Sequence, residues 1–161
     1  MAGYAKGILV VLIASIAIVI LMNLAFFFPW YITLVETAFE VSNVVSNENY
    51  LPYDTYRDIY DGLKDKPIFD DKPESVSIQA VHSNGRSAIE AYPGRNVDEY
   101  YDAYSKPYVQ RGNKVKVVVK ATYPFRMTFA GREVSAADIP IEFELSTTTL
   151  KHYKDLDYYL N

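Results

Sequence analysis

Twenty-nine consecutive residues, Gly7 to Val35, carry no charged side chain, and nothing else in the sequence constrains the fold as strongly. As a helix rising 1.5 Å per residue, such a run reaches about 43 Å, against about 30 Å of bilayer hydrocarbon. It can cross a membrane with residues to spare. The apolar region of a secretory signal peptide is only about 7–15 residues long and ends at a small-residue cleavage site. Here the later stretch Val35-Glu36-Thr37-Ala38 lies beyond bulky Phe28, Pro29 and Trp30, so a retained segment is expected. Lys6 and the α-amino group flank one end and Glu36 and Glu40 the other, which predicts a single pass with the N-terminus in the cytoplasm. Tyr4 at one end, with Trp30 and Tyr31 at the other, are expected at the two membrane interfaces.

Within the run, Ile8 to Leu24 is mostly Ile, Val, Leu and Ala, whereas Phe26-Phe27-Phe28-Pro29-Trp30 is aromatic and holds a helix breaker. Pro29 lacks a backbone donor and crowds the preceding turn, so a kink or local melting is expected near Ala25–Phe26. Helical spacing continues past the run through Val35, Phe39, Val41 or Ser42, and Val45, with Glu36, Glu40 and Asn43 elsewhere on the wheel. The polar cluster Ser46-Asn47-Glu48-Asn49 ends it. One helix is expected over 1–47, apolar all round at first and then amphipathic. A globular, β-rich domain at 48–161 follows.

The formal charge of −4 includes the +1 of Lys6, so the chain beyond the apolar run carries −5. That balance argues against nucleic acid or an anionic membrane surface as the main ligand of the domain. There is no cysteine, hence no disulfide and no thiolate metal site. Thirteen of the fifteen tyrosines lie beyond Glu36, suited either to stacking inside a β-rich domain or to a protein-binding surface.

Leu51-Pro52-Tyr53-Asp54 starts a second helix, Thr55 to Leu63, closed by Gly62 and Lys64–Pro67. Pro67 to Glu74 is a charged loop. Ser75 to His82 alternates as a strand, Ser83-Asn84-Gly85-Arg86 makes a primed turn, and Ser87 to Tyr92 returns. Val97 to Tyr104 fits a turn or two of helix. Lys114 to Tyr123 is the clearest strand, with Val115, Val117, Val119 and Ala121 opposite Lys114, Lys116 and Lys120. Phe125 to Phe129 continues it beyond Pro124, Ala130-Gly131-Arg132 turns, and Ile139 to Leu145 sets Ile141, Phe143 and Leu145 against Glu142 and Glu144. The last segment, Ser146 to Asn161, is polar and expected to wrap the domain or fray. The class is α+β: a long N-terminal helix, then an antiparallel sheet of four to five strands covered by Val35–Val45.

No catalytic constellation emerges. His82 ends a strand and His152 lies in the polar tail. No nucleophile elbow, phosphate loop, dinucleotide fingerprint or zinc-protease motif occurs. Asp70, Asp71 and Glu74 cluster, as do Asp155 and Asp157, but their spacing fits no standard calcium loop, and a solvated acidic turn is the plainer reading. Neither an enzyme, nor a metal, nor a cofactor is expected.

Lys6-Gly7 ahead of an apolar helix and then a small β domain resembles the layout of the type IV pilin-like superfamily. More narrowly, the chain looks like TadE-like pilins and pseudopilins of tight-adherence systems in Gram-positive bacteria. The likeness rests on 7–47, on Tyr108-Val109-Gln110-Arg111-Gly112-Asn113-Lys114-Val115, and on Ile139-Pro140-Ile141 with Ser146-Thr147-Thr148-Thr149. It implies cleavage by a prepilin peptidase after a small residue, with Gly3 and Gly7 as processing candidates. It also implies stacking of the freed helices into a filament core, here through Ile8, Leu12, Ala14, Ala17, Leu21, Ala25, Pro29 and Trp30. Those families carry a Glu five residues into the mature helix. This chain has Leu12 there if cut after Gly7, or Ile8 if cut after Gly3, so packing of small residues such as Ala14, Ser15, Ala17 and Ala25 would have to suffice.

The expected function is a structural subunit of an extracellular type IV pilus-like filament or pseudopilus at the cell surface. The implied partners are further copies of the chain, the cell membrane before assembly, and the pilus assembly machinery; nucleic acid is not among them. Two other readings stand beside it: a single-pass accessory subunit of a membrane complex, and a membrane-anchored extracytoplasmic binding module.

Overall fold

The computed structural model describes residues 2–91, 107–129 and 132–152. One helix, α1 (Ala2–Glu48), is followed by α2 (Tyr53–Lys64), two short 3-10 turns at Pro67–Phe69 and Pro73–Ser75, and the strands β1 (Ser77–His82), β2 (Lys114–Phe129) and β3 (Arg132–Thr148). The strands form one antiparallel sheet in the order β1-β2-β3. The class is therefore α+β, a long apolar helix feeding a small sheet. Among the described residues three strands are present rather than the four to five expected, and the difference has physical causes.

Pro124 does not break β2, which runs straight on to Phe129, so two expected strands are one. The segment after the turn is shared between neighbours instead of forming a hairpin partner. Ala88 donates its N–H to the Ala80 carbonyl, while the Ala88 carbonyl accepts from Leu51 and the Leu51 carbonyl accepts from Glu90. Only isolated bridges result, Val81 to Ser87 and Leu51 to Ile89. The turn itself is also not a primed one. Gly85 has a φ of 83°, Asn84 has none above zero, the Gly85 N–H reaches the His82 carbonyl, and the His82 N–H reaches the Arg86 carbonyl. That is a three-residue loop with a left-handed glycine at its end. The expected helical turns at 97–104 and the turn residues 130 and 131 fall outside the described residues.

α1 is unbroken through Pro29, with no melting at Ala25–Phe26. Tertiary contact overrides the breaker: Phe27 and Trp30, on either side of it, pack edge-on against Tyr123 of β2 at 5.2 and 5.3 Å between ring centroids. The helix ends as the polar cluster suggested. Asn49 adopts φ 71° and donates its N–H to the Val45 carbonyl, a left-handed C-cap. Its side-chain amide, fully buried, bonds both backbone groups of Val109 and the Lys151 carbonyl.

The core lies between one stripe of α1 and one face of the sheet. Trp30, Leu34, Ala38, Val41 and Val45 pack with Val76, Ile78, Ala80, Val115, Val117, Val119, Ala121 and Tyr123, and with Leu51, Leu63 and Phe69. The alternation of Ser75–His82 and Lys114–Tyr123 is thus the in-out pattern expected. The helix face is rotated by about one residue from Val35 and Phe39: Leu34 and Ala38 point inward, and Phe39 is 51% exposed. Trp30, placed at a membrane interface by its sequence neighbours, is 2% exposed in the core. Trp30, Leu34, Ala38, Val41 and Val45, in the second half of α1, are thus part of the sheet's core.

On the outer face, Lys120 pairs with Glu142 at 2.7 Å and Lys116 with Glu144 at 2.6 Å. Val118, between the two lysines and opposite Glu144, is buried on this face too. Long lysine side chains can cover apolar surface with their stems while the ammonium stays in water.

Candidate functional site

Among the described residues, the first half of α1 is the long, continuously apolar exposed surface. Helical residues cannot leave so much apolar area in water without cost, at about 25 cal/mol per Å². No residue of the most apolar window of α1 is buried, and the helix is long and apolar enough to cross a membrane. Of the residues singled out above, Ile8, Leu12, Ala14, Ala17, Leu21, Ala25 and Pro29 are all exposed along this half, Ile8 to 70%. Trp30 is not among them. Near the N-terminal end, Gly3 and Gly7 sit one turn apart on an open strip with Val11 and Ser15. A Cβ added at either glycine would meet nothing within 4 Å.

Two polar side chains on this half bond within the chain. Ser15 Oγ donates to the Val11 carbonyl at 2.9 Å. Asn23 Nδ2 donates to the Val19 carbonyl and to the Arg126 carbonyl of β2, both at 3.0 Å. The Asn23 carbonyl in turn accepts the Tyr123 hydroxyl at 2.8 Å. Burial raises the Tyr123 pKa, which keeps that hydroxyl a donor. Asn23 therefore marks where the sheet begins to cover the helix. The sequence offered one signal for it, the single amide within the charge-free run.

Among the described residues the acidic and histidine candidates do not converge on a site; Asp155 and Asp157 lie outside them. Asp71 Oδ2 stands 3.8 Å from Arg126 Nε, and the loop's Lys72 pairs with Asp138 of β3 at 3.1 Å, so the charged loop tethers itself to the ribbon. His82 is buried with Nε2 against the Pro107 carbonyl, and Nδ1 has no partner among the described residues. Burial pushes its pKa down, outweighing the Pro107 carbonyl. His152 is exposed at the far end of the described chain. Among the described residues, no three His, Cys, Asp or Glu side chains come together as a metal site would need.

Sequence reasoning did not find the open groove between α1 and α2. Thr37 and Glu40 face Thr55, Asp58, Gly62 and Lys66 across it. Its mixed charges are those of solvated faces.

No family model matches this chain, and neither a curated protein nor a solved structure matches it.

Proposed function

We propose that the chain is a structural subunit of an extracellular, type IV pilus-like filament or pseudopilus, held in the cell membrane by α1 and then assembled through it. The observation that carries this reading is the division of one unbroken helix. Its second half is core to a folded domain, and its first half, rigidly continuous with that domain, presents apolar side chains in every direction. Such a helix can exchange lipid for copies of itself without refolding, because either environment covers the same side chains. Small residues at Ala14, Ser15, Ala17 and Ala25 allow close approach between helices. The −5 charge beyond the run favours neither nucleic acid nor an anionic ligand.

Electron microscopy of surface-shear fractions tests the reading. Filaments built of this chain are expected from the wild type and none from Ala17→Asp, whose carboxylate would be buried in the helix core. Normal filaments from that variant would contradict assembly through this helix. Co-purification with an integral membrane complex, in place of filaments, would support the accessory-subunit reading instead.

A further inference from the structure

Two apolar stripes run up the domain half of α1, and the sheet takes only one of them. Leu34, Ala38, Val41 and Val45 turn into the core. Phe28, Ile32, Val35 and Phe39, at spacings of four, three and four, form the other. Val35 is half-buried, and the remaining three are each more than half exposed. Phe143 of β3 borders this second stripe, its ring meeting those of Phe39 and Tyr31, without closing over it.

In the membrane-held state lipid tails do not reach the second stripe. The sheet lies against α1 from Asn23 upward, where Asn23 Nδ2 donates to the Arg126 carbonyl. The exposed ion pairs of Arg126 with Asp71 and of Asp138 with Lys72 stand at or just above that level. Charged groups are costly in hydrocarbon, so the bilayer core ends no higher than Asn23. Phe28 is then about 8 Å beyond it and Phe39 about 24 Å beyond it. An apolar stripe left in water costs free energy in proportion to its area.

The spacing points to what covers it. Alternating steps of four and three are the seam of two helices wound around each other. Carried down α1 in the same phase, the first seam position falls on Val11, Ile18, Ala25, Ile32 and Phe39. The second falls on Ala14, Leu21, Phe28 and Val35, so the seam stays apolar from Val11 to Phe39. Below Asn23 any phase would be apolar; the four upper residues fix this one. β-Branched Val11, Ile18 and Ile32 at the first position, with Leu21 at the second, follow the distribution that favours two parallel strands. Ala14 and Ala25 let the backbones approach where lipid surrounds the pair. All copies enter the bilayer with one polarity, which makes a pair parallel, and two-fold symmetry sets it in register. Glu36 then meets Tyr31 of the other copy, and Glu40 points away from the seam, so no carboxylates oppose each other.

We propose that two copies of this chain pair through a parallel, in-register coiled coil along α1, whose part outside the bilayer is the stripe Phe28, Ile32, Val35 and Phe39. The pairing rests on the membrane-held state of the proposed function but not on filament assembly.

Single cysteines in the cysteine-free, full-length chain test it, with the protein at high lipid dilution in phosphatidylcholine vesicles and copper phenanthroline as oxidant. A disulfide needs Cα atoms within about 7 Å, so a single-cysteine chain dimerises only where equal residues face each other. Ile32→Cys and Phe39→Cys are expected to give several-fold more disulfide dimer than Glu40→Cys. Ile32→Asp, at a position exposed in the single chain, should keep the wild-type circular dichroism and lower the Phe39→Cys dimer several-fold. Equal yields at 32, 39 and 40 from vesicle-retained protein overturn the pairing alone, as does an unchanged Phe39→Cys dimer in the Ile32→Asp background. Protein that alkaline carbonate strips from the vesicles overturns the membrane-held state and the pairing with it.

Discussion

Trp30 is among the largest fully buried side chains of the fold. Its ring meets Phe27 at 6.0 Å, Phe69 at 5.4 Å and Tyr123 at 5.3 Å, so it joins helix, loop and sheet. Truncating it leaves a cavity among rings that cannot collapse together. Trp30→Ala is expected to destabilise the detergent-solubilised chain by about 3–5 kcal/mol in urea unfolding. Phe143 touches Phe39 and Tyr31 at 6.4 and 6.3 Å but is only half-buried, so Phe143→Ala should cost less, about 2–3 kcal/mol. Lys120→Ala, which removes an exposed pair with Glu142, should cost less than about 1 kcal/mol. An effect of Lys120→Ala equal to that of Phe143→Ala would overturn the assignment of sheet faces. His82 gives the chain a pH response. Its folded pKa lies below the ordinary 6.5, so between the two values the unfolded chain binds the extra proton. Stability is then complete above about pH 6.5 and declines as pH falls toward the lowered value, by at most about 1.4 kcal/mol per unit. Urea midpoints at pH 7.5 and 5.5 should show this decline in the wild type and a smaller one in His82→Asn; identical slopes would remove His82 as its source.

At the scale of elements, the end of α1 makes a sharp prediction. Asn49 supplies a left-handed backbone and side-chain bonds to Val109 and Lys151. Alanine removes those bonds and disfavours the left-handed backbone. Asn49→Ala should lose about 2–4 kcal/mol, and Asn49→Gly should lose less because the backbone strain is relieved. Thermal melts that rank glycine below alanine would contradict the cap. This end was legible in the sequence because four polar residues follow a helical apolar pattern. So were β1 and the first ten residues of β2, whose period-two alternation leaves no other phase. Other features were hidden because distant partners decide them. Trp30 belongs to the core only because Tyr123 and Phe69 meet it, and its neighbours Phe26 and Phe28 look like an interfacial belt. Residues 87–89 turned out to be bridges because Leu51, nearly forty positions earlier, takes their backbone bonds. The Asn23 join likewise depends on Arg126, 103 residues away. The exposed helix surface, in contrast, could be read almost residue by residue from Ile8 to Ala25, since the absence of charge needs no tertiary partner to interpret.

At the scale of the whole molecule, a folded α+β unit continues into a helix whose first half projects with exposed apolar side chains. The ribbon fixes where coverage by the chain itself stops, near Asn23, and leaves Gly3–Met22 to an outside partner. Under the proposed function, lipid would satisfy that need in the membrane and neighbouring copies would satisfy it in a filament. The most direct measurement is thiol cross-linking across copies in intact surface-shear fractions of cells expressing Leu12→Cys, with Gln79→Cys as the control on the outer sheet face. A short bifunctional thiol reagent is expected to give a ladder of multimers from Leu12→Cys and monomers from Gln79→Cys. Monomers alone from Leu12→Cys, in a fraction that contains the protein, would contradict a filament core built from this helix.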